Sequence, residues 1–417
     1  MTTPYDADVI IAGAGMAGAT LGLALARAGL KPILIDPVVL SAQTAPSFDG
    51  RSSAIAFAAF RQWRSLGLAP ALEPLSQRIE QILVTDGRAP GPLARGPGPF
   101  FLRFDSEEIA DRSGGEPLGY MLENRHTRAA LAQALETAGV EVLAPARVTS
   151  ARFDARAAEV ALADGRTLSA PLVVGAEGRG SVIREAAGIG ALGWPYRQAG
   201  VVATVKLERP HNGVAHEYFL PSGPFAILPL TDDRASLVWT ESERRAAALR
   251  SARPEVFHAH LQRRFGDLLG RAEVEGQVFT YPLSLQLAER LTGPRAALLG
   301  DAAHGVHPIA GQGLNLGLRD VAALAEVVAD AARLGLDIGS GVTLARYERW
   351  RRTDAAMSAA AFDALNGLFS NDWTLLRTAR DAGLRLIDRM PGLKQLLVTE
   401  AAGLTGEVPK LLRGEPV

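Results

Sequence analysis

The sequence Gly13-Ala14-Gly15-Met16-Ala17-Gly18, set between the apolar run Val9–Ala12 and an alanine-rich stretch reaching Ala28, constrains this chain more than any other feature. Gly13 permits a tight turn, Gly15 lets the backbone approach a pyrophosphate, and Gly18 lets helix and strand pack closely. The following helix offers free N–H groups and the positive end of its dipole to phosphates, with Met16 and Ala17 in its first turn. Gly29 closes that helix and residues 32–36 form the next strand. Asp36, 18 positions after Gly18, stands where an acid takes ribose hydroxyls. Strand, glycine loop, helix, strand and acid together specify a βαβ dinucleotide site without separating NAD from FAD.

A second segment narrows the choice. Leu298-Leu299-Gly300-Asp301 ends a strand on a carboxylate that can accept a hydrogen bond from a ribityl hydroxyl, which FAD has and NAD lacks. Pro308-Ile309-Ala310-Gly311-Gln312-Gly313-Leu314-Asn315 then forms a glycine-rich loop opening a helix. Its N–H groups suit the flavin N1–C2=O edge, which becomes anionic on reduction. Between the two lies residues 172–184, a strand, a sharp glycine turn and a short helix placed to shape the pyrophosphate site.

Composition sets the outer limits. The chain has 417 residues, 47 % hydrophobic and 21 % charged, enough for two domains and ordinary for a soluble enzyme. A net charge of −1 gives no general attraction for nucleic acid. The absence of cysteine excludes disulfides, thiolate catalysis and Cys-based metal centres. His304 and His307 have no clustered third ligand, so no metal site is expected. The first residues lack a basic leader and no apolar stretch is long enough to span a bilayer. The expectation is a cytoplasmic protein that rests peripherally on the inner face of a membrane.

Residues 52–66 read as a helix, and residues 79–85 and 100–104 as strands around a Gly- and Pro-rich loop at 88–99. Residues 124–138 form a helix closed by Gly139. Residues 140–176 hold strands with a turn at Asp164-Gly165. Residues 201–240 alternate as antiparallel sheet with a turn at Ser222-Gly223. Helices follow at 255–265 and 314–334, with a strand at 296–299 between them. The expected fold class is α/β: a discontinuous Rossmann-like domain over 1–75, 100–185 and 286–335, an inserted antiparallel-sheet domain for substrate over 76–99 and 186–285, and a helical C-terminal region over 336–417.

These motifs resemble the class A flavoprotein hydroxylases, and within them the FAD-dependent ubiquinone-biosynthesis hydroxylases (the UbiH, UbiF, VisC and Coq6 group). The resemblance is carried by residues 13–18, Asp49-Gly50-Arg51, residues 118–124, 172–184 and 223–230, and above all residues 300–320. It covers essentially the whole chain. One departure is Glu177-Gly178, where the family usually has Asp-Gly, a difference that touches NAD(P)H handling.

The resemblance implies hydroxylation of a polyprenylated phenol in ubiquinone synthesis, by O2 activated as a flavin C4a-hydroperoxide, with NAD(P)H as electron donor. It implies that Arg51 sits near the flavin or its phosphates, that Asn124 and Arg128 reach the ribityl chain and phosphates, and that Val148 meets the adenine through its backbone. Pro308 would line the flavin face where oxygen reacts, and Gly311, Gln312, Gly313, Leu314 and Asn315 would hold the pyrimidine edge. His307 is a candidate for substrate proton handling and His304 for a loop-ordering hydrogen bond. Tyr218, Phe225 and Trp239 are candidate pocket walls, with sheet core the simpler reading. Phe362, Leu365, Leu368, Phe369 and Trp373, at helical spacing, suit core packing, a partner among other ubiquinone-biosynthesis proteins, or lipid. Oligomeric state stays open. Two other readings share the fold: an FAD-dependent prenyl-chain reductase, and a catalytically silent FAD-containing scaffold.

Overall fold

The computed structural model describes residues 5–86, 102–306, 312–352 and 390–417. Val9–Ala12 (β1), Pro32–Ile35 (β2) and Leu172–Gly175 (β12) are buried at every position, as strands covered on both faces must be. With Glu141–Leu143 (β8), Thr292–Gly293 (β18) and Ala296–Leu298 (β19) they make a six-stranded sheet in the order β18-β19-β12-β1-β2-β8. Every pairing in it is parallel except β18 with β19. Helix Met16–Arg27 joins β1 to β2 and packs against helices Asn124–Thr137 and Gln312–Arg333. The strand order reverses at β1, where such folds place ligands beyond the carboxyl ends of the strands. Residues 13–18, Asp36, residues 176–178 and Gly300-Asp301 all follow those ends.

The second large sheet has eight strands: His304–Gly305 (β20), Ala272–Ala288 (β17), Ala191–Leu207 (β13), Arg234–Ser242 (β16), Gly223–Leu230 (β15), Val214–Leu220 (β14), Gln81–Asp86 (β5) and Leu102–Asp105 (β6), in that order. One face packs on helices Glu243–Arg250 and Pro254–Phe265 through Tyr218, Phe225, Trp239, Phe257 and Leu261. The other face carries Ala215, Ala226, Leu228 and Val238, which meet Met121 and Ala54 of the nucleotide-binding part. Alternation along each strand sends neighbours to opposite faces.

A small antiparallel sheet, Ser52–Ala56 (β3) with Gly119–Glu123 (β7) and Gln77–Ile79 (β4), lies between the two large ones. Val148–Phe153 (β9), Ala158–Leu162 (β10) and Thr167–Ala170 (β11) form a separate three-stranded sheet. The C-terminal residues return to the main core, where Leu411, Leu412 and Val417 are buried and the Arg61 Nε donates to the Leu412 carbonyl at 2.7 Å.

Three sequence expectations change. Residues 52–56 form strand β3 rather than the first turns of a helix, which runs only over Phe57–Ser65. Their small, alanine-rich composition suits a helix, but pairing with β7 decides the outcome. Strand β6 belongs to the eight-stranded sheet rather than to the nucleotide-binding part, because it pairs with β5 across the intervening loop. Strand β4 makes the opposite exchange by pairing with β7. Tyr218, Phe225 and Trp239, by contrast, are sheet core on the helix-covered face, as the simpler reading had them.

Candidate functional site

Gly13 adopts φ 101°, and a Cβ there would lie 2.5 Å from the Ala176 carbonyl oxygen. A Cβ on Gly18 would fall 2.0 Å from the Gly13 oxygen, so helix and loop close only on glycine. Around Gly15 there is open space among the described residues, none of which lies within 4 Å of a built Cβ. The helix begun by Met16 and Ala17 has no side-chain cap and no acid in its first turn, leaving its N–H groups available to an anion. Asp36 Oδ2 accepts from the Ala14 N–H at 2.8 Å and Oδ1 from the Val38 N–H at 2.8 Å, so this carboxylate also orders the loop itself. The Ala146 N–H donates to the Asp36 carbonyl at 2.8 Å, which brings the start of β9, Val148, to the same end of the sheet.

Gly300 turns at φ 57° and projects Asp301, whose side chain is 53 % exposed. Its one ion-pair neighbour among the described residues is Arg179, Nε to Oδ2 at 3.7 Å. Helix Gln312–Arg333 starts beside it. A Cβ on Gly317 would lie 3.2 Å from Gly300 Cα and 3.7 Å from Ala17 Cβ. The first turn of one helix and the second turn of the other therefore meet at Gly300, with their positive dipole ends toward the same region. Gly313 and Leu314 lie in the first turn of the second helix, while Asn315 is fixed by its side chain. Its Oδ1 accepts from the Ala56 N–H at 2.9 Å and its Nδ2 donates to the Ala54 carbonyl at 2.9 Å. His307, Pro308 and Gly311 lie outside the described residues, as do Phe362, Leu365, Leu368, Phe369 and Trp373.

Asp49 is the centre that sequence reading missed as a site residue. It accepts from Arg51 Nη2 at 2.9 Å and from Arg128 Nη2. Burial works against its ionisation, but the Arg128 hydrogen bond and the Arg51 charge more than offset this and hold its pKa below the ordinary value. Gly50 turns at φ 58°, and a Cβ there would strike the Phe279 ring at 2.1 Å. The Arg51 guanidinium stacks 5.0 Å from the Tyr281 ring, whose hydroxyl donates to the Asp49 carbonyl. Strand β17 of the eight-stranded sheet thus docks on the 49–51 turn. Arg128 also borders a small cavity with Ala14, Met16 and Gln43, beside the glycine loop. Asn124, buried at 2 %, accepts through Oδ1 from the Ser53 hydroxyl at 2.7 Å.

Asp320 is the second unforeseen centre. Its Oδ2 accepts from His304 Nε2 at 2.5 Å and from the Gly300 N–H at 3.0 Å, and its Oδ1 accepts from Arg351 Nε at 2.8 Å. All three side chains are buried. Burial disfavours the cationic form of His304, yet the Asp320 carboxylate raises its pKa; burial likewise opposes Asp320, which His304 and Arg351 hold low. His304 thus has the loop-ordering bond expected of it. Glu177, one methylene longer than the family residue, accepts from the Ile183 N–H at 2.9 Å and so caps helix Val182–Ala186. Burial raises its pKa.

The open glycine loop, the exposed Asp301 and the two neighbouring helix starts fit the donor and acceptor chemistry of FAD. A family model described as an FAD binding domain matches residues 6–359. The ubiquinone hydroxylase UbiL of Rhodospirillum rubrum is 46 % identical over 415 residues, 99 % of this chain and 94 % of that one. The chain belongs to the FAD-dependent ubiquinone-biosynthesis hydroxylase family. The 3-demethoxyubiquinol 3-hydroxylase of Escherichia coli is 33 % identical and matches 96 % of this hydroxylase and all, 100 %, of its own length. In fold, the p-nitrophenol 4-monooxygenase PnpA of Pseudomonas putida superposes with a TM-score of 0.78 at 19 % identity, over 96 % of this chain and 98 % of that one. This hydroxylase is an FAD-dependent monooxygenase of the class A fold.

Proposed function

We infer that the protein hydroxylates the aromatic ring of a polyprenylated phenol in ubiquinone biosynthesis, taking electrons from NAD(P)H and oxygen from O2. The observation that carries this reading is the near full-length similarity to a ubiquinone hydroxylase. The apolar sheet face turned toward the nucleotide-binding part supports it, since a greasy phenol requires a dry surface.

Bound FAD supplies the reducible ring at which O2 is activated. The chain supplies its position. In this reading Gly13, Gly15, Met16, Ala17 and Gly18 receive the pyrophosphate, Asp36 and Val148 the adenosine end, and Asp301 a ribityl hydroxyl. Arg51, Asn124 and Arg128 border the phosphates and ribityl chain. Pro308 and residues 311–315 lie along the flavin, and His307 handles a substrate proton. Among the described residues no helix is long and apolar enough to cross a membrane. Leu334, Leu336 and Val342, exposed at 73 %, 57 % and 84 %, supply apolar contacts for peripheral attachment to a membrane or to other ubiquinone-biosynthesis proteins.

Complementation tests the reading. Bacteria lacking individual ubiquinone hydroxylases should regain ubiquinone with this gene, with loss of one accumulated intermediate. Rescue of none would sink the pathway assignment while leaving FAD binding intact.

A further inference from the structure

Across the sheet face that looks toward the nucleotide-binding part runs a row set by strand register. Phe279 pairs with Val202, Val202 with Val238, Val238 with Ala226, Ala226 with Glu217, and Glu217 with Val84. One member of this otherwise apolar row is ionisable. Ala226 and Val238 pack in the same cluster as Ala54, whose carbonyl accepts from Asn315 at the start of helix Gln312–Arg333. Phe279, at the other end of the row, touches the 49–51 turn. The row therefore spans the wall that closes over the flavin end of the site.

Glu217 is only 6 % exposed. Among the described residues it has no hydrogen-bond or ion-pair partner, unlike the other buried acids Asp36, Asp49, Glu241 and Asp320. Its neighbours on the same face of β14, Ala215 and Phe219, are both buried and apolar. Such a carboxyl lacks the partners the fold gives its other buried acids, and a buried polar group without one calls for a specific explanation, which a ligand completing it supplies.

We propose that Glu217 binds the phenolic hydroxyl of the substrate and so orients the ring toward the flavin. The proposal rests on the phenol-hydroxylase reading above. A neutral carboxyl donates one hydrogen bond and accepts another, and a phenolic hydroxyl does the same, so the two groups satisfy each other in a dry site. Burial pushes the Glu217 carboxyl up to about 8, which keeps it in the neutral, donating form near pH 7. The apolar row on either side accommodates the rest of the ring and its prenyl substituent.

The test uses the FAD-loaded enzyme with two probes, 2-geranylphenol and its methyl ether, which lacks the donating hydroxyl. The wild type should favour the phenol in kcat/KM on the order of a hundredfold, because a site built for a hydroxyl is left with an unpaired group by the ether. Glu217→Leu should bring that preference below about tenfold and divert reductant to H2O2. Its FAD content should be unchanged and its Tm equal to or above the wild type, since an unpartnered buried carboxyl is removed. Glu217→Gln, which still donates and accepts, should restore part of the preference. If Glu217→Leu keeps the full preference, or loses Tm and FAD because the carboxyl is structural, the proposal is overturned. Wild type that hydroxylates both probes equally also overturns it, whereas wild type that hydroxylates neither defeats the phenol-hydroxylase reading as well.

Discussion

Replacing Asp320 with alanine removes a carboxylate that holds His304, Arg351 and the Gly300 N–H at once. Two of these contacts are charge-assisted and all lie in the core, with Arg351 only 3 % exposed. Removing one partner of a buried ion pair costs about 3–5 kcal/mol, because the remaining charge stays desolvated. An unfolding entropy of about 2.1 cal/mol/K per residue gives roughly 0.9 kcal/mol/K for 417 residues. The expected fall in Tm is therefore about 3–6 °C, measured by scanning calorimetry on the FAD-free protein. FAD affinity should fall as well, since the freed Gly300 N–H no longer fixes the turn that projects Asp301. A Tm within about 1 °C of wild type would show that Asp320 does not hold these groups in the folded core, because breaking a buried pair on this scale cannot be silent.

Other perturbations separate cofactor binding from stability. Gly18→Ala would place a methyl 2.0 Å from the Gly13 carbonyl oxygen, so the protein should purify colourless, checked by the flavin absorbance ratio. Asp301→Ala removes an exposed acid, so FAD should bind on the order of tenfold more weakly by fluorescence titration while the apoprotein Tm stays put. Asn315→Ala breaks both side-chain bonds to β3 and should cost about 1–3 kcal/mol in denaturant unfolding. Asp49 has a lowered pKa in the folded protein, so the stability it contributes is complete above its unfolded value near 4 and is lost as pH falls through the folded value. Asp49→Asn should accordingly flatten the acid limb of a Tm-versus-pH curve and leave its shape above pH 5 unchanged, a comparison made at about pH 3 and 6.

The nucleotide-binding core was legible because its signals are local. An apolar run, three glycines, an alanine-rich helix and Asp36 all fall within residues 9–36 and need no distant partner to be read. Strand β3 was not legible, since Ser52-Ser53-Ala54-Ile55-Ala56 becomes a strand through β7 and through Asn315, which is 259 residues from Ala56. The centres at Asp49 and Asp320 were hidden for the same reason: their partners Arg128 and Arg351 lie 79 and 31 residues away. Tyr218, Phe225 and Trp239 showed the right chemistry for a pocket, but alternation alone does not say which face of a sheet meets helices and which meets cofactor. A signal for Glu217 was present, an acid inside the apolar strand Val214–Leu220, and it gains meaning only once the register shows which face it occupies.

FAD binding and the transfer of one atom of O2 to a prenylated phenol together define the proposed activity. Turnover of 2-geranylphenol with NAD(P)H under isotopically labelled O2, read by mass spectrometry, tests it most directly. The expected product is ring-hydroxylated, carries a single labelled oxygen and forms only with FAD-containing protein. Product oxygen drawn from water, or reduction of the prenyl chain without oxygen uptake, would contradict it.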